Sequence, residues 1–362
     1  MAEEQKRVVS PSYPCYSARG APRALGRQHG EQARIQIRAF LDYLGRLLKL
    51  SREQLHARAL RFLPLFEQPA PHLVDEVRGL AEGAGVSLAE GLAVQIRGEL
   101  GQLPSEGCTT FVISARGTAD GHVLIGQNSD VEPELEEFAY VLRLEPEGKP
   151  ATLMWTFGGM IGYHGLNAAG VAHFANSLGG GPPWKLGLPH YPIKHLMLEQ
   201  RSLDDVLALL RRVPACSSGN YVLCDGAGRI ADVELTPDGF ALLEDQGEGF
   251  LAHSNHFLCG PYACAATDAA CVPDSFPRLT RMRELLAGRF GRLTVEDLKR
   301  FLADHEGQPT SICRHPHDGP DHPSVSARGR TTASLIAEPA AGRLHVSRGN
   351  PCQVAYATYR HG

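Results

Sequence analysis

The chain is poor in aromatic residues, 7% of 362 with only two tryptophans, and it has no surplus of positive charge. Its 36 Lys and Arg stand against 40 Asp and Glu, a formal net charge of −4. With no basic field to attract phosphates, no nucleic-acid partner is expected. No apolar run approaches the roughly 20 residues that span a bilayer, so no membrane association is expected either. The start, Met1–Arg7, is charged and lacks the apolar core of a signal peptide. The end, Thr358–Gly362, matches no address signal, and a cytoplasmic location is the expectation. There is no internal repeat, heptad run or low-complexity segment.

Other absences narrow the chemistry. The nine cysteines, at 15, 108, 216, 224, 259, 264, 271, 313 and 352, are odd in number and scattered, which argues against a disulfide framework. Most read as buried thiols acting as small hydrophobes, leaving one as a candidate nucleophile. Cys259, Cys264 and Cys271 with His253 and His256 have no zinc-site spacing. His315, His317 and His322 read as an exposed, proline-broken loop. Gly158-Gly159 and Gly179–Gly181 are not followed by the Lys-Ser/Thr pair of a phosphate loop. No metal and no cofactor are therefore expected.

What is present is a change of texture near residue 104. The preceding part reads helical, with Ser51/Gln54 and Ser87/Glu90 at capping-box spacing and apolar residues recurring at three- and four-residue steps over Phe40–Leu50 and Leu73–Leu80. Thereafter strands dominate. Thr109–Ser114 and His122–Ile125 flank a turn and predict a hairpin. Further strands are predicted at Ala139–Leu144, Thr152–Phe157, Val171–Asn176, Tyr221–Cys224, Ile230–Leu235, Phe240–Leu243, Phe250–His253, Thr332–Ile336 and Leu344–Ser347. Helices interrupt them at about Pro192–Val213, where Ser202 starts the second of two, and at Pro277–Leu286 and Val295–Ala303, the last capped by Thr294. Segregated elements of this kind point to α+β layering.

Gly107-Cys108-Thr109-Thr110 opens the hairpin. A thiol there can attack the carbonyl before it, because glycine leaves the approach open. Hydrolysis of the resulting thioester would leave a cysteine with its own free α-amine, whose ordinary pKa near 8 suits a base at neutral pH. Taken alone, the same residues are better read as a loop running into a strand with a half-buried cysteine. Asp130, Asn176 and Asn255 alone would each read as turn or strand-end residues.

The wider pattern changes that reading. Gly107–Phe111, Gly126-Gln-Asn-Ser-Asp130 and the hairpin between them resemble the nucleophile region of the isopenicillin-N acyltransferase family of self-cleaving N-terminal-nucleophile (Ntn) hydrolases. Gly20–Gly30, Arg78–Gly83 with Leu92–Arg97, Gly165–Val171 with Asn176, His253–His256 and Ser311–Arg314 continue the resemblance in order, over roughly residues 20–350. The resemblance implies an αββα four-layer sandwich with an N-terminal helical segment. It implies cleavage between Gly107 and Cys108 into fragments 1–107 and 108–362, which stay together as one structural domain. It makes Cys108 the nucleophile, places Asp130 near the freed amine, and gives Asn255 and Asn176 to the oxyanion. It names Arg330 as the active-site arginine, with Arg328 the competing choice. Gln127 stands where bile-salt and penicillin V amidases carry Arg. Thr110, Gln127, Trp155, Phe157 and Ser177 are expected to meet the substrate.

The implied activity is cleavage or transfer of the acyl group of a small N-acyl amide. Hydrolysis is preferred, since transfer requires a site that excludes water and holds a specific amine. Coenzyme A-dependent N-acylation is the alternative chemistry. A papain-like enzyme using His173 or His256 as base, and a non-catalytic binding protein on the same fold, are the other readings. Association of the two fragments is expected, and a homodimer is allowed.

Overall fold

The computed structural model describes residues 12–101, 107–263, 272–317 and 328–361. The first described element is a strand, β1 (Cys15–Gly20), where the sequence pattern predicts only helices. Seven helices follow: α1 (Pro22–Gln32), α2 (Arg34–Leu48), α3 (Arg52–Leu60), α4 (Leu63–Glu67), α5 (Pro71–Ala84), α6 (Leu88–Gln95) and α7 (Arg97–Gly101). Both expected capping boxes form, Ser51 with Gln54 and Ser87 with Glu90. Helices α1 and α5 approach through glycines. A Cβ at Gly26 would overlap the Glu76 carbonyl oxygen, and one at Gly79 would overlap that of Arg23. Only glycine permits backbones so close.

Among the described residues, the rest of the chain supplies thirteen strands and four α-helices. In chain order these are β2 (Gly107–Ile113), β3 (Leu124–Val131), β4 (Ala139–Pro146), β5 (Thr152–Phe157), β6 (His164–Asn167), β7 (Ala172–Ser177), α8 (His190–Leu198), α9 (Leu203–Arg212), β8 (Gly219–Cys224), β9 (Ile230–Thr236), β10 (Gly239–Leu243), β11 (Phe250–His253), α10 (Ser275–Arg289), α11 (Val295–Leu302), β12 (Arg330–Glu338), β13 (Arg343–Arg348) and β14 (Ala357–Arg360). Ser202 caps α9 and Thr294 caps α11, as predicted.

One sheet has eight strands in the order β1-β4-β5-β6-β7-β8-β9-β10, and the other six in the order β11-β2-β3-β12-β13-β14. All pairs are antiparallel except β1 with β4, a parallel edge that departs from the expected purely antiparallel sheets. The sheets face each other, β2 and β3 lying against β7. Helix α8 covers the outside of the larger sheet, and α10 and α11 cover the smaller one. The α+β, αββα arrangement expected from the sequence is therefore the observed one. No described helix is long and apolar enough to cross a membrane.

Strand β2 shows how this layering aims side chains. Phe111 and Ile113 pack outward against Leu279, Met282 and Leu286 of α10. Val112 turns the other way, into the main core between the sheets. Successive strand residues alternate faces, so Cys108 and Thr110 share Val112's side and open between the two sheets.

A buried charge cluster ties the N-terminal helices to α8. His195 lies 3.5 Å from Glu76 of α5 and 3.4 Å from Glu199. Burial opposes protonation of His195, but Glu76 and Glu199 outweigh it and raise its pKa to about 9. A histidine raised in the folded state stabilises fully below its unfolded pKa of about 6.5 and loses that contribution as pH passes the folded value. The melting temperature is therefore expected to fall between about pH 6.5 and 9, by a few degrees beyond a His195→Gln variant measured in parallel. Identical pH profiles for the two proteins would contradict this.

Candidate active site

Cys108 is 4% exposed and lines a cavity of about 470 Å³ whose other walls come from α7, the larger sheet, the loop after β7 and α8. Its backbone is held from three sides. The register of β2 and β3 sets Gly107 opposite Asp130 and Cys108 opposite Ser129. The Cys108 N–H donates to Asn255 Oδ1 at 3.0 Å. Its carbonyl accepts from Arg278 Nη1, which also donates to Thr109 Oγ1 at 2.9 Å.

Asn255 follows the end of β11, and its own N–H donates to Ser275 Oγ at 2.6 Å. Its Oδ1 also accepts from Arg278 Nη2 at 2.7 Å, while its Nδ2 donates to the Ser177 carbonyl at 3.0 Å and reaches Ser177 Oγ at 3.3 Å. The amide is thus oriented with oxygen toward the Cys108 nitrogen and hydrogens toward the end of β7.

Behind Gly107 lies a network of two carboxylates and two guanidiniums, all at most 4% exposed: Asp130, Asp274, Arg278 and Arg314. Asp274 Oδ2 accepts from Arg278 Nη2 at 2.8 Å and from Arg314 Nη2. Asp130 Oδ1 accepts from Thr331 Oγ1 at 2.6 Å. Its other oxygen is buried without a hydrogen-bond partner, 3.8 Å from Arg314 Nε. Burial pushes the Asp130 carboxyl upward, against the pull of Arg314, Arg278 and Thr331. A Cβ at position 107 would overlap the Arg314 guanidinium, so a side chain there would displace the end of that arginine.

The structure gathers Cys108, Gly107, Asp130, Asn255, Ser177 and Asn176 in one region. It corrects the expectations for Arg330, for Trp155 and Phe157, for Asn176, and for Gln127 and Thr110, which are fully buried and off the cavity wall. Arg330 does not reach Asp130. It pairs in register with Val131, so strand alternation sends it to the other face, where it bonds Glu136. Thr331 is the residue opposite Asp130, and the arginine beside that carboxylate is Arg314. Arg328 is likewise elsewhere, on Glu134. Trp155 and Phe157 are fully buried in the core and do not line the cavity; its aromatic wall is Tyr163, Trp184, Tyr191 and Tyr221. Asn176 spends both amide hydrogens, on Thr110 Oγ1 at 2.8 Å and Asn220 Oδ1 at 2.9 Å, so it offers neither to an oxyanion. Gln127 donates to the Ala175 carbonyl at 2.7 Å, bracing the two sheets against each other. Asp274, Arg278 and Arg314 carry no role in the sequence-based expectations, although Ser311–Arg314 stands among the matching motifs.

The papain-like bases do not contact Cys108. His173 Nε2 meets the Lys194 carbonyl at 3.1 Å and its Nδ1 is buried without a partner. His256 Nδ1 meets Ser275 Oγ at 2.7 Å. Burial holds His173 down to about 3 and His256 to about 4.

Known proteins share this architecture. Residues 117–353, about two thirds of the chain, match the family model described as acyl-coenzyme A:6-aminopenicillanic acid acyl-transferase. The chain belongs to that family. The matched segment begins after Cys108 and holds Asp130, Asn255, Asp274, Arg278 and Arg314. The acyl-coenzyme A:6-aminopenicillanic-acid-acyltransferase 40 kDa form of Emericella nidulans is 26% identical over 342 residues, spanning 92% of each chain. A single-substitution variant of the conjugated bile acid hydrolase of Clostridium perfringens superposes at a TM-score of 0.50 with 13% identity, covering 70% of this chain and 97% of that one. That likeness concerns the fold, which is the Ntn-hydrolase fold. The activity named for the family and for the Emericella nidulans relative is acyl transfer.

Proposed function

We propose that this enzyme matures by cutting its own Gly107–Cys108 bond and then uses Cys108 as an N-terminal nucleophile on a small N-acyl amide. The observation that carries the reading is the environment of the Cys108 nitrogen. It is the atom that would become the α-amine, and it already sits on Asn255 Oδ1 beside the Asp130–Arg314 pair.

In maturation, the Cys108 sulfur adds to the Gly107 carbonyl carbon, the carbon–nitrogen bond breaks, and the nitrogen takes the thiol proton. Water then cleaves the thioester, releasing the Gly107 carboxylate and restoring the thiol. The new amine keeps Asn255 Oδ1 as an acceptor. The Asp130 oxygen that lacks a partner supplies a counter-charge for the ammonium form. In turnover the amine accepts the thiol proton, the sulfur attacks the substrate carbonyl, and the proton passes to the departing amine. Asn255 Nδ2 serves the oxyanion in exchange for its contact with Ser177. Water as acceptor completes hydrolysis; an amine acceptor would complete acyl transfer. Fragments 1–107 and 108–362 remain joined through β1 in the larger sheet and the buried Glu76–His195 contact.

Intact mass measurement of purified protein tests this directly. Two chains, the larger beginning at Cys108, are expected; a single chain persisting after prolonged incubation would sink the proposal.

The cavity also suggests the kind of acyl group. Lys194 and Glu99 both line it, with the Lys194 Nζ 4.4 Å from the Tyr163 ring centre and 5.2 Å from that of Tyr191. Burial pushes the Glu99 carboxyl up, against the pull of its hydrogen bonds and of Lys194. A buried lysine on the wall, packed against two aromatic rings, favours an acyl group with an anionic end. Lys194→Met is expected to lower kcat/KM for an ω-carboxyacyl amide about tenfold more than for its neutral alkyl counterpart, a difference of about 1.4 kcal/mol. Equal losses for both would remove the selectivity argument.

A further inference from the structure

Four side chains from three segments meet near the end of α11: His305, Cys313, His315 and Cys352. One ligand atom from each lies within 4.8 Å of all the others. His305 Nε2 is 3.1 Å from His315 Nε2, and Cys313 Sγ is 3.7 Å from Cys352 Sγ. His315 Nε2 is 3.5 Å from Cys313 Sγ and 3.2 Å from Cys352 Sγ.

These separations have a specific meaning. A tetrahedral zinc ion with bonds of about 2.3 Å to sulfur and 2.0–2.1 Å to nitrogen sets its ligands about 3.8 Å apart for two sulfurs, 3.6 Å for sulfur and nitrogen, and 3.4 Å for two nitrogens. Four of the six edges follow the same order, each shorter by up to a few tenths of an ångström, and the two from His305 to the sulfurs lie within 4.8 Å. Ordinary packing gives no reason for two imidazole Nε2 atoms and two thiols to converge on one point. The surroundings suit a metal as well. Asn350, 3% exposed, places its Nδ2 3.5 Å from Cys313 Sγ and donates to the Arg314 carbonyl. An amide hydrogen directed at a thiolate is the outer support that metal-bound cysteines receive.

We propose that these residues form a structural Cys2His2 site for a zinc ion. Two soft thiolates and two imidazoles in a tetrahedron select zinc over harder cations. Four protein ligands leave no open position for water, so the site is structural and not catalytic. Binding releases the two thiol protons and leaves each sulfur as a thiolate on the metal. The ion would pin together three segments: the residues after α11, Ser311–His315, and the β13–β14 connection. Arg314 lies between two of the ligands, so the same ion would fix the backbone that carries it to Asp274. The sequence carries no signal of such a site, because the ligands stand at 305, 313, 315 and 352, a spacing no short motif describes.

The test is metal content by elemental mass spectrometry on the full-length protein after dialysis against metal-free buffer. About one zinc per chain is expected. The His305→Gln variant changes an exposed side chain and keeps the fold, and it and Cys352→Ser should each reduce retained zinc at least about tenfold. Cobalt exchanged into the site should show thiolate-to-cobalt charge transfer and the strong visible bands of a tetrahedral ion, and chelation should lower the melting temperature of the wild type but not of Cys352→Ser. The proposal is overturned if the protein takes up no zinc when supplied with it, if both variants retain zinc at the wild-type level, or if the freshly isolated protein carries a Cys313–Cys352 disulfide.

Discussion

Cys108→Ala is expected to yield one uncut chain of 362 residues and to lose amide turnover by about 10⁴-fold or more, while folding normally. The size of the effect follows from one atom serving two reactions. The sulfur is both the group that would open the Gly107–Cys108 bond and the group that would carry the acyl intermediate. Its removal costs little structure: Cys108 sits at the wall of a cavity, and losing a sulfur there leaves a defect worth on the order of 1 kcal/mol. Cys108→Ser is the informative companion. A hydroxyl is far less ionised than a thiol at neutral pH, so slow cutting over days is expected in place of rapid cutting. Fragments from Cys108→Ala at the wild-type rate would assign the cut to an outside protease. Alkylation supplies a second check. Cys216 and Cys224 are buried with thiols pushed up by burial, the latter to about 12, so iodoacetamide should find Cys108 in the mature enzyme well before either. Activity that survives such treatment would remove the thiol from the mechanism.

What could be read from the sequence divides by the range of the interaction responsible. The caps at Ser51, Ser87, Ser202 and Thr294 were legible because a cap joins a side chain to a backbone N–H three residues on. The β2–β3 hairpin was legible because its strands are neighbours in the chain. Strand β1 was not, because its partner β4 lies more than a hundred residues away and pairs in parallel. The arginine assignment failed for a related reason. Arg330 and Thr331 adjoin, and only the register against β3, with its irregularity between Thr331 and Ala333, decides which of them faces Asp130. Trp155 and Phe157 illustrate the limit of composition: an aromatic strand can be predicted buried, but whether it faces a core or a cavity depends on the opposite layer. Asp274 and Arg278 carry no local signature at all. They precede and enter α10 as an ordinary helix start, and their importance appears only when that helix is laid on β2.

That helix start makes Asp274→Ala the most damaging charge deletion to expect away from the nucleophile. Asp274 makes no capping bond of its own. Its carboxylate, 2% exposed, instead takes Arg278 through Nε at 3.1 Å and Nη2 at 2.8 Å, and Arg314 through Nη2. Removing it leaves two guanidiniums buried at 1% and 3% exposure with Asp130 as the remaining carboxylate of the network. Breaking a buried pair from one side costs about 3–5 kcal/mol, which corresponds to a loss of roughly 5–15 °C in melting temperature. Part of that cost is recoverable, because Arg314 can turn from Asp274 toward the Asp130 oxygen 3.8 Å from its Nε. The recovery has a consequence for maturation: it occupies the carboxylate oxygen proposed as counter-charge to the new ammonium and withdraws the guanidinium from Gly107. Uncut precursor should therefore accumulate even in the fraction that folds. Asp274→Asn, which keeps an acceptor oxygen but not the charge, should fall between alanine and wild type on both readouts. Arg330→Ala is the control, since its partner Glu136 lies outside the network, and it should change cutting and melting little. Wild-type cutting and melting in Asp274→Ala would mean that the Asp130–Arg314 pair orders Gly107 without the second carboxylate. The full loss in Arg330→Ala would return the active-site arginine to β12.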